Sequence, residues 1–485
     1  MGSRRLVGID LGIASDHTVR VLAEDGREVC RRRCRPTVES LTLIEKAALA
    51  GADPGTRLEV VFEPTGPAWL PIAVFFTGRG HLVFRVSSAK AADLRRFLSR
   101  HAKSNGIDAD TLARLPLVAP EAVRPLQLPD VEVAALDRRV RAVDRLTRLA
   151  SEHKVRVKDL VRQLMPMTPL TGDLGAADLA VLERWADPRA LLKAGRARLT
   201  AVIAKASNNH LGAARAEQWR EAAAAAVELY GDHPAIAWSD LAAEVVTEVA
   251  LLRAVQAQLA VHAAAREEAY RWVDVGQLAR TLPGVAEVSG PVLAAAIGDP
   301  RRFPSGRHFK SFAGLAPKAS ETGETDRKGQ PMSKAGSSLL RVTLIRAADH
   351  ARKHDPQLAR VYYQQMVERG ADHLKANCVV AGHLAERFWA VMRRGMPYVI
   401  CDTDGTPVTP EKAKRIIAEQ WTVPPEVRSR RRSKKAGKAP HHAPAGHAKP
   451  DTQRRRHTRR PSPPTILTPV VEEVKQPAPL TSDPR

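Results

Sequence analysis

The chain has 485 residues, of which 44% are hydrophobic and only 4% aromatic, and its formal net charge is +23. This length is more than one compact core organises, so two or three domains are expected. The charge favours a polyanionic partner. The sequence has no run of about 20 apolar residues, which a membrane helix needs, and MGSRRLVGID contains no secretory signal core. A cytoplasmic protein with no membrane partner is the resulting expectation.

The first 135 residues alternate between strand-like and helix-like patterns. Apolar runs and turn residues predict five strands, at Arg4–Gly12, His17–Gly26, Arg27–Cys34, Arg57–Gly66 and His81–Ser88. Helices are predicted at Val38–Gly51, Pro67–Thr77 and Lys90–Arg100, and from Ile107 onward. The order βββαβαβα is the path of an RNase H-like fold, so we expect an α/β domain at 1–135.

Three acidic residues lie at the ends of predicted strands or at the start of a predicted helix in this domain. Asp10 follows the apolar strand residues that end at Ile9, and Glu63 follows the run LEVVF. Asp108 begins a predicted helix. In an RNase H-like path the first and fourth strands are neighbours, which would bring Asp10 and Glu63 together, with Asp108 packed across them. Three converging carboxylates suit one or two Mg²⁺ ions in phosphodiester chemistry.

Residues 136–278 are almost wholly helical by periodicity. The segment Ser239–Trp272 has the pattern of a long helix pair or a coiled coil. An amphipathic scaffold accounts for this region, and its arginine-rich face offers a path for a nucleic-acid backbone.

The predicted C-terminal domain, 279–424, differs in composition and is expected to be mostly helical. LPGVAEVSGPVLAAAIGD resembles a helix–hairpin–helix, although Ala286 stands where a second glycine is usual, and a plain packing unit explains the segment equally well. The cations that follow favour contact with nucleic acid; they are Arg301, Arg302, Arg307, His308 and Lys310.

The composition of the remaining segment, 425–485, indicates a basic tail. Between Val427 and Pro461 it has thirteen Lys or Arg residues against one acid, Asp451. Such a composition cannot bury a core, so disorder is expected. The cysteine pair in CRRRC, Cys30 and Cys34, lacks the second ligand pair that a zinc site needs.

Several motifs together resemble a known family. GIDLG at 8–12, FEPTG at 62–66, KSNGIDA at 103–109 and FAGLAPKASETGETDRKGQPMSKAGSSLLR at 312–341 resemble the DEDD transposases of the IS110 insertion-sequence family. The resemblance implies a RuvC-like N-terminal domain whose four metal ligands, for Mg²⁺ or Mn²⁺, map onto Asp10, Glu63, Asn105 and Asp108. Asn105 departs from the family's aspartate: its carbonyl oxygen can ligate a metal but has no charge.

The same resemblance implies a serine-type transposase domain at the C-terminal end. A hydroxyl there would form a transient covalent link to DNA, and the family serine aligns with Thr322, while Ser320 lies two residues upstream. Either residue could be the nucleophile, although the β-branch restricts threonine. Lys328, Lys334 and Arg341 would contact phosphate.

The function that the resemblance implies is excision and insertion of a mobile element. Its partners would be element-end and target DNA, a guide RNA from the element's own non-coding end, and further copies of the chain in a dimer or tetramer. Such a protein would be associated with the nucleoid.

Three alternatives compete with this interpretation. Asn105 and Thr322 could mark an impaired copy that only binds nucleic acid. A Holliday-junction nuclease would use the N-terminal domain alone and leave about three hundred residues without a role. GIDLG also resembles the first phosphate loop of actin-like and sugar-kinase ATPases, but a second phosphate loop and a Gly-Gly adenosine loop are missing from the sequence.

Overall fold

The computed structural model describes residues 3–98, 104–170, 172–318, 321–322, 325–326 and 330–428. Its N-terminal part is built on a five-stranded sheet with the order β3-β2-β1-β4-β5. The strands are β1 (Arg4–Asp10), β2 (His17–Leu22), β3 (Glu28–Cys34), β4 (Arg57–Phe62) and β5 (Leu82–Arg85). β1, β2 and β3 pair antiparallel, whereas β4 is parallel to both β1 and β5.

Four helices accompany this sheet: α1 (Val38–Leu49), α2 (Trp69–Gly78), α3 (Ser88–Leu98) and α4 (Asn105–Val118). The predicted order of strands and helices is therefore confirmed. β2 and β3 form a hairpin, and Gly26 in its turn takes the left-handed φ of +82° that glycine adopts readily. The predicted strands ran too long at their carboxyl ends, since β1 ends at Asp10 and β4 at Phe62.

Helix α4 packs directly on the centre of the sheet. A Cβ atom on Gly8 would lie 1.9 Å from the backbone oxygen of Ala109 and 2.4 Å from the nitrogen of Ala113. Only glycine in β1 permits so close an approach. The contact fixes the first turn of α4 beside the carboxyl end of β1.

The rest of the described chain is predominantly helical, as the periodicity predicted. The helices are α5 (Val131–Leu164), α6 (Ala176–Trp185), α7 (Pro188–Ala194), α8 (Arg196–Ala206), α9 (Ala213–Tyr230), α10 (Trp238–Val273), α11 (Ser289–Ile297), α12 (Gly306–Phe312), α13 (Ser338–Ala351), α14 (Pro356–Tyr363), α15 (His373–Arg394) and α16 (Pro410–Gln420). Two short strands, β6 (Glu321–Thr322) and β7 (Thr325–Asp326), pair antiparallel. Three 3₁₀ turns (Pro120–Ala122, Leu278–Thr281 and Pro300–Arg302) and a π turn (Gln364–Glu368) complete the elements.

Helices α5 and α10 form one long antiparallel pair. With 34 and 36 residues, each extends over about 50 Å at 1.5 Å per residue. Near one end His153 and Arg156 of α5 bind the buried Glu248 of α10, at 2.7 and 3.1 Å. At the other end Leu136 of α5 shares a core with Tyr270 of α10. The segment expected to form a long helix pair or a coiled coil is thus one continuous helix, and it pairs with α5.

The helix–hairpin–helix is not confirmed. The glycine turn is followed by α11 but preceded by the 3₁₀ turn Leu278–Thr281. A Cβ on Gly284 would lie 2.2 Å from the backbone oxygen of Ala347 in α13. The turn is therefore packed against a helix, and α11 is almost entirely buried.

Across the described residues, no helix combines the length and the apolar character that crossing a membrane requires. The basic tail beyond residue 428 lies outside the described part of the chain, so its expected disorder stays a prediction.

Candidate metal and nucleic-acid site

Two of the predicted acidic residues stand at the ends of neighbouring parallel strands. β1 and β4 are in register up to the pair Ile9 and Phe62. Asp10 is the last residue of β1, and Glu63 comes directly after β4. Both carboxylates are half-buried. The predicted adjacency of these two positions is confirmed.

The third acid lies on the same face of the sheet. Side chains alternate along a strand, so Asp10 shares the face of Gly8, which α4 covers. Glu63 likewise shares the face of Val61, which packs in one cluster with residues of α4. Asp108 is in the first turn of α4 and is half-buried. Helix α4 thus places a third carboxylate on the face that Asp10 and Glu63 share, and we call these three residues the acidic corner.

Arg95 of α3 engages this corner. Its Nη1 donates to Oδ1 of Asp108 over 2.8 Å, and both side chains are largely buried. The hydrogen bond and charge of Asp108, with a smaller effect of Glu63, raise the pKa of the Arg95 guanidinium above its ordinary value. Among the described residues, no three His, Cys, Asp or Glu side chains are grouped closely enough to hold a metal ion. In this arrangement the carboxylate of Asp108 is occupied by the ion pair with Arg95.

The loop after Asp10 is fixed by a buried histidine. The backbone N–H of Gly12 donates to Nδ1 of His17 over 3.1 Å, and His17 is 2% exposed. Burial lowers the pKa of His17, so the ring stays neutral and Nδ1 remains an acceptor. The position of Asp10 is therefore set by β1 on one side and this bond on the other.

Asn105 is the first residue of α4 and is exposed. Ser104 caps the helix by accepting a hydrogen bond from the N–H of Ile107 over 3.3 Å. Asn105 and Asp108 are three residues apart and share one side of the helix. The amide is thus near the acidic corner but at its rim.

The predicted nucleophile region is only partly described. Thr322 belongs to β6, and its backbone pairs with Thr325. Ser320 and Lys328 lie outside the described residues. Their predicted roles stay predictions.

The other cations predicted to bind nucleic acid differ in their surroundings. Arg301 pairs with Asp299 at 3.0 Å, and Lys310 pairs with Glu386 at 3.2 Å. Arg302 lies over Phe303 and Phe312 and donates to the carbonyl of Ala296. Arg341 donates to the carbonyl of Lys334 over 3.1 Å and so supports that loop. Within the described part of the chain, Arg307 and Lys334 are exposed and lack a carboxylate partner, which leaves both open to phosphate.

The amino-acid sequence matches two family models and several known proteins. A family model for DEDD transposases of the IS110 type matches residues 7–166, and the model described as the transposase IS116/IS110/IS902 family matches residues 276–364. The insertion element IS110 43.6 kDa protein of Streptomyces coelicolor is 26% identical over 81% of this chain and 95% of its own length. The chain belongs to the IS110 transposase family.

Two further relatives extend the family comparison. The insertion element IS900 42 kDa protein of Mycobacterium paratuberculosis is 27% identical over 80% of this chain and 95% of its own length. A pilin gene-inverting protein of Moraxella bovis is 27% identical over 25% of the chain and 38% of its own length. The chain is therefore similar to proteins named for insertion elements and, over a shorter stretch, to one named for inversion of a gene.

The sequence analysis did not predict that Arg95 or the arginines of β3 would lie near the acidic residues of this family member. The signal for Arg95 was absent, because its contact with Asp108 depends on how α3 packs beside α4. The signal for β3 was present in CRRRC, where alternation along a strand puts Arg31 and Arg33 on one face.

We expect Arg95→Gln to bind Mn²⁺ about tenfold more tightly than the wild type, because a guanidinium at the carboxylates repels a cation. Isothermal titration calorimetry with Mn²⁺ alone measures this without turnover. Arg96→Gln is the matched control, since Arg96 is the next residue of α3 and pairs with Asp93 instead. Unchanged or weaker Mn²⁺ binding in Arg95→Gln would show that Arg95 does not compete with the metal.

Proposed function

We propose that this transposase-family chain excises and inserts an insertion-sequence element by metal-dependent cleavage and rejoining of DNA strands. One observation carries the proposal: Asp10 and Glu63 lie at the ends of adjacent parallel strands, and α4 brings Asp108 to the same face. The corner is half-buried and so remains open to a DNA strand.

The proposal divides the chain into four segments. Residues 1–135 would form an RNase H-like, RuvC-like metal domain, and 136–278 a helical and coiled-coil region that includes the α5–α10 pair. Residues 279–424 would form the C-terminal transposase domain with the hydroxyl nucleophile, and 425–485 the basic tail. The two family models, which cover 7–166 and 276–364, support an N-terminal and a C-terminal functional part.

The residues of the corner fit a hard divalent cation in their chemistry. Carboxylate and amide oxygens are the donors that Mg²⁺ takes from proteins. Asp10, Glu63 and Asp108 would hold Mg²⁺ or Mn²⁺, and the carbonyl of Asn105 would add a neutral donor. When bound, the cation supplies Lewis acidity for phosphodiester chemistry. Asp10 ends β1 and Glu63 directly follows β4, whereas Asp108 would have to leave Arg95 to bind the cation.

The covalent step would be carried by a hydroxyl of the chain. The oxygen of Thr322 or Ser320 attacks a backbone phosphorus, a phosphoester bond forms, and one P–O bond of the DNA breaks. The hydroxyl proton is lost, and the released DNA oxygen gains a proton. A DNA hydroxyl then attacks the protein–DNA ester and regenerates the free side chain, so strands are rejoined without an external energy source.

Element-end and target DNA are the proposed substrates. The insertion-element relatives and the gene-inverting relative support recombination of DNA as the reaction class. A guide RNA from the non-coding end of the element, assembly as a dimer or tetramer, and a cytoplasmic, nucleoid-associated location complete the proposal. Arg307, Lys334, Arg341, Arg301, Arg302, Lys310 and Lys328 would contact phosphate.

The test uses the purified full chain and a plasmid that contains the gene with its native flanking DNA. We expect cleaved and recombined products with Mg²⁺ and none with EDTA. Tight, salt-sensitive binding without cleavage would show instead that this chain is a nucleic-acid-binding copy, as Asn105 and Thr322 also allow. Cleavage confined to four-way junctions would favour a Holliday-junction nuclease.

A further inference from the structure

An arginine-lined groove lies beside the acidic corner. It has a volume of about 540 Å³ and opens between the edge strand β3, its neighbour β2 and the first turn of α4. The residues that line it are Thr18, Arg20, Arg31, Arg32, Arg33, Ser104, Asn105 and Gly106. We name it the β3 groove.

The register of the sheet aligns this groove with the candidate metal ligands. Thr18 pairs with Asp10 across β1 and β2, and Arg33 pairs with Thr18 across β2 and β3. Residues paired across strands point to the same face. Arg31 pairs with Arg20 in the same way, so both belong to that face. Two strand spacings separate the backbone of Arg33 from that of Asp10, which is about 10 Å.

The positive charge of the β3 groove is poorly neutralised. Arg31 pairs with Glu28 at 2.5 Å. Arg20, Arg32 and Arg33 have no carboxylate partner within 4.0 Å in the described part of the chain. The exposed guanidinium groups of Arg32 and Arg33 are therefore available to an anion.

Arg20 is in an electrostatically unfavourable place. Its Nη2 would lie only 2.6 Å from a Cβ on Gly106, so the guanidinium sits against the first turn of α4. The N-terminal end of a helix has a partial positive charge and repels a cation. An anion in the groove would relieve this repulsion, and it would meet the charges of Arg31 and Arg33 at the same time.

We propose that the β3 groove binds the sugar–phosphate backbone of the DNA strand that enters the acidic corner. At a rise of ~3.4 Å per nucleotide, the 10 Å separation corresponds to about three nucleotides beyond the cleaved bond. Arginine suits this role because its fork binds phosphate oxygens in pairs. The inference rests on the proposed function, since it assigns the groove to the strand that the carboxylates act on.

Charge on an edge strand also has a simpler use, because it prevents edge-to-edge pairing of sheets. That use needs no ligand and no particular face. The two explanations differ in one respect: only a binding site gains protection from hydrogen exchange when DNA is added.

The experiment is hydrogen–deuterium exchange of the full chain in EDTA, with and without an oligothymidylate. We expect DNA to slow exchange in Glu28–Cys34 and in the first turn of α4. The double variant Arg31→Gln/Arg33→Gln should lose that protection but keep protection elsewhere, including any in the basic tail. For DNA binding by this variant, the slope of log K against log salt concentration should also be shallower by about 0.7 for each lost phosphate contact.

The matched control is Arg27→Gln/Lys46→Gln, which removes the same charge outside the groove, at a hairpin turn and on the exposed side of α1. It should retain the wild-type protection, and so should Arg31→Lys/Arg33→Lys, which keeps both charges. Absence of DNA-dependent protection in β3 of the wild type would overturn the proposal. So would protection by an oligouridylate but not by the DNA.

This experiment is independent of catalysis because EDTA removes divalent metal. If β3 shows no protection but the plasmid is still cleaved, the groove assignment is wrong and the proposed function stands. If β3 is protected but the plasmid is not cleaved, the catalytic function is refuted and the β3 groove remains a DNA-binding site.

Discussion

Glu63→Gln is expected to slow DNA strand cleavage by about a thousandfold or more, which is about 4 kcal/mol of transition-state stabilisation. The substitution keeps the size of the side chain and removes the charge at the end of β4, where Asp10 is the neighbour on β1. An amide holds a divalent cation far more weakly than a carboxylate does. The single-turnover rate on plasmid DNA in Mg²⁺ measures the effect.

The fold should survive this change, because Glu63 lies after β4 and is only half-buried. The melting temperature and DNA affinity in EDTA should match those of the wild type. Glu24→Gln is the control, since Glu24 is an exposed acid of the β2–β3 turn that pairs with Arg4 at 3.1 Å. A cleavage rate for Glu63→Gln that stays within a few-fold of wild type would remove the acidic corner from the reaction.

The fold of the N-terminal part could be predicted because its signals are local. Apolar runs indicate β1 and β4, and the turn at Gly26 indicates the β2–β3 hairpin. Asp10 and Glu63 each come at the end of an apolar run. Parallel pairing of the two strands then follows from the βββαβαβα order. The adjacency of Asp10 and Glu63 required no knowledge of side-chain packing.

The rest of the site depends on packing that no local signal encodes. The bond between Arg95 and Asp108 requires the relative placement of α3 and α4. The face shared by Arg20, Arg31 and Arg33 requires the register between β2 and β3. Alternation in CRRRC indicates which arginines group together but not what they face.

In the C-terminal motif the local signal left two interpretations open, a helix–hairpin–helix and a plain packing unit. Gly284 has a φ of +78°, as a turn glycine should. Its lack of a side chain is also needed for contact with Ala347 of α13. A sequence pattern reports the backbone conformation of such a turn, whereas the partner of the turn is decided by tertiary packing.

Substitution of the nucleophile is expected to have the second large effect, a loss of the covalent protein–DNA adduct. We expect Thr322→Ala to abolish the covalent protein–DNA adduct, because the family resemblance aligns Thr322 with the family serine. Thr322→Ser should retain the adduct or increase it, since serine keeps the hydroxyl and lacks the β-branch that restricts threonine. The adduct is measured by denaturing gel electrophoresis after reaction with nicked, labelled element-end DNA, and its yield in Thr322→Ala should fall by at least about a hundredfold.

Two further variants make this result specific to the hydroxyl. Thr325→Ala changes the residue whose backbone pairs with Thr322 in the β6–β7 hairpin, so it controls for damage to the hairpin. Ser320→Ala should leave the adduct within a few-fold of wild type. If Ser320→Ala loses the adduct and Thr322→Ala keeps it, the nucleophile is two residues upstream of the position that the family register indicates. An adduct that persists in the double variant excludes both hydroxyls, because a phosphoester to either residue requires the side-chain oxygen that alanine lacks.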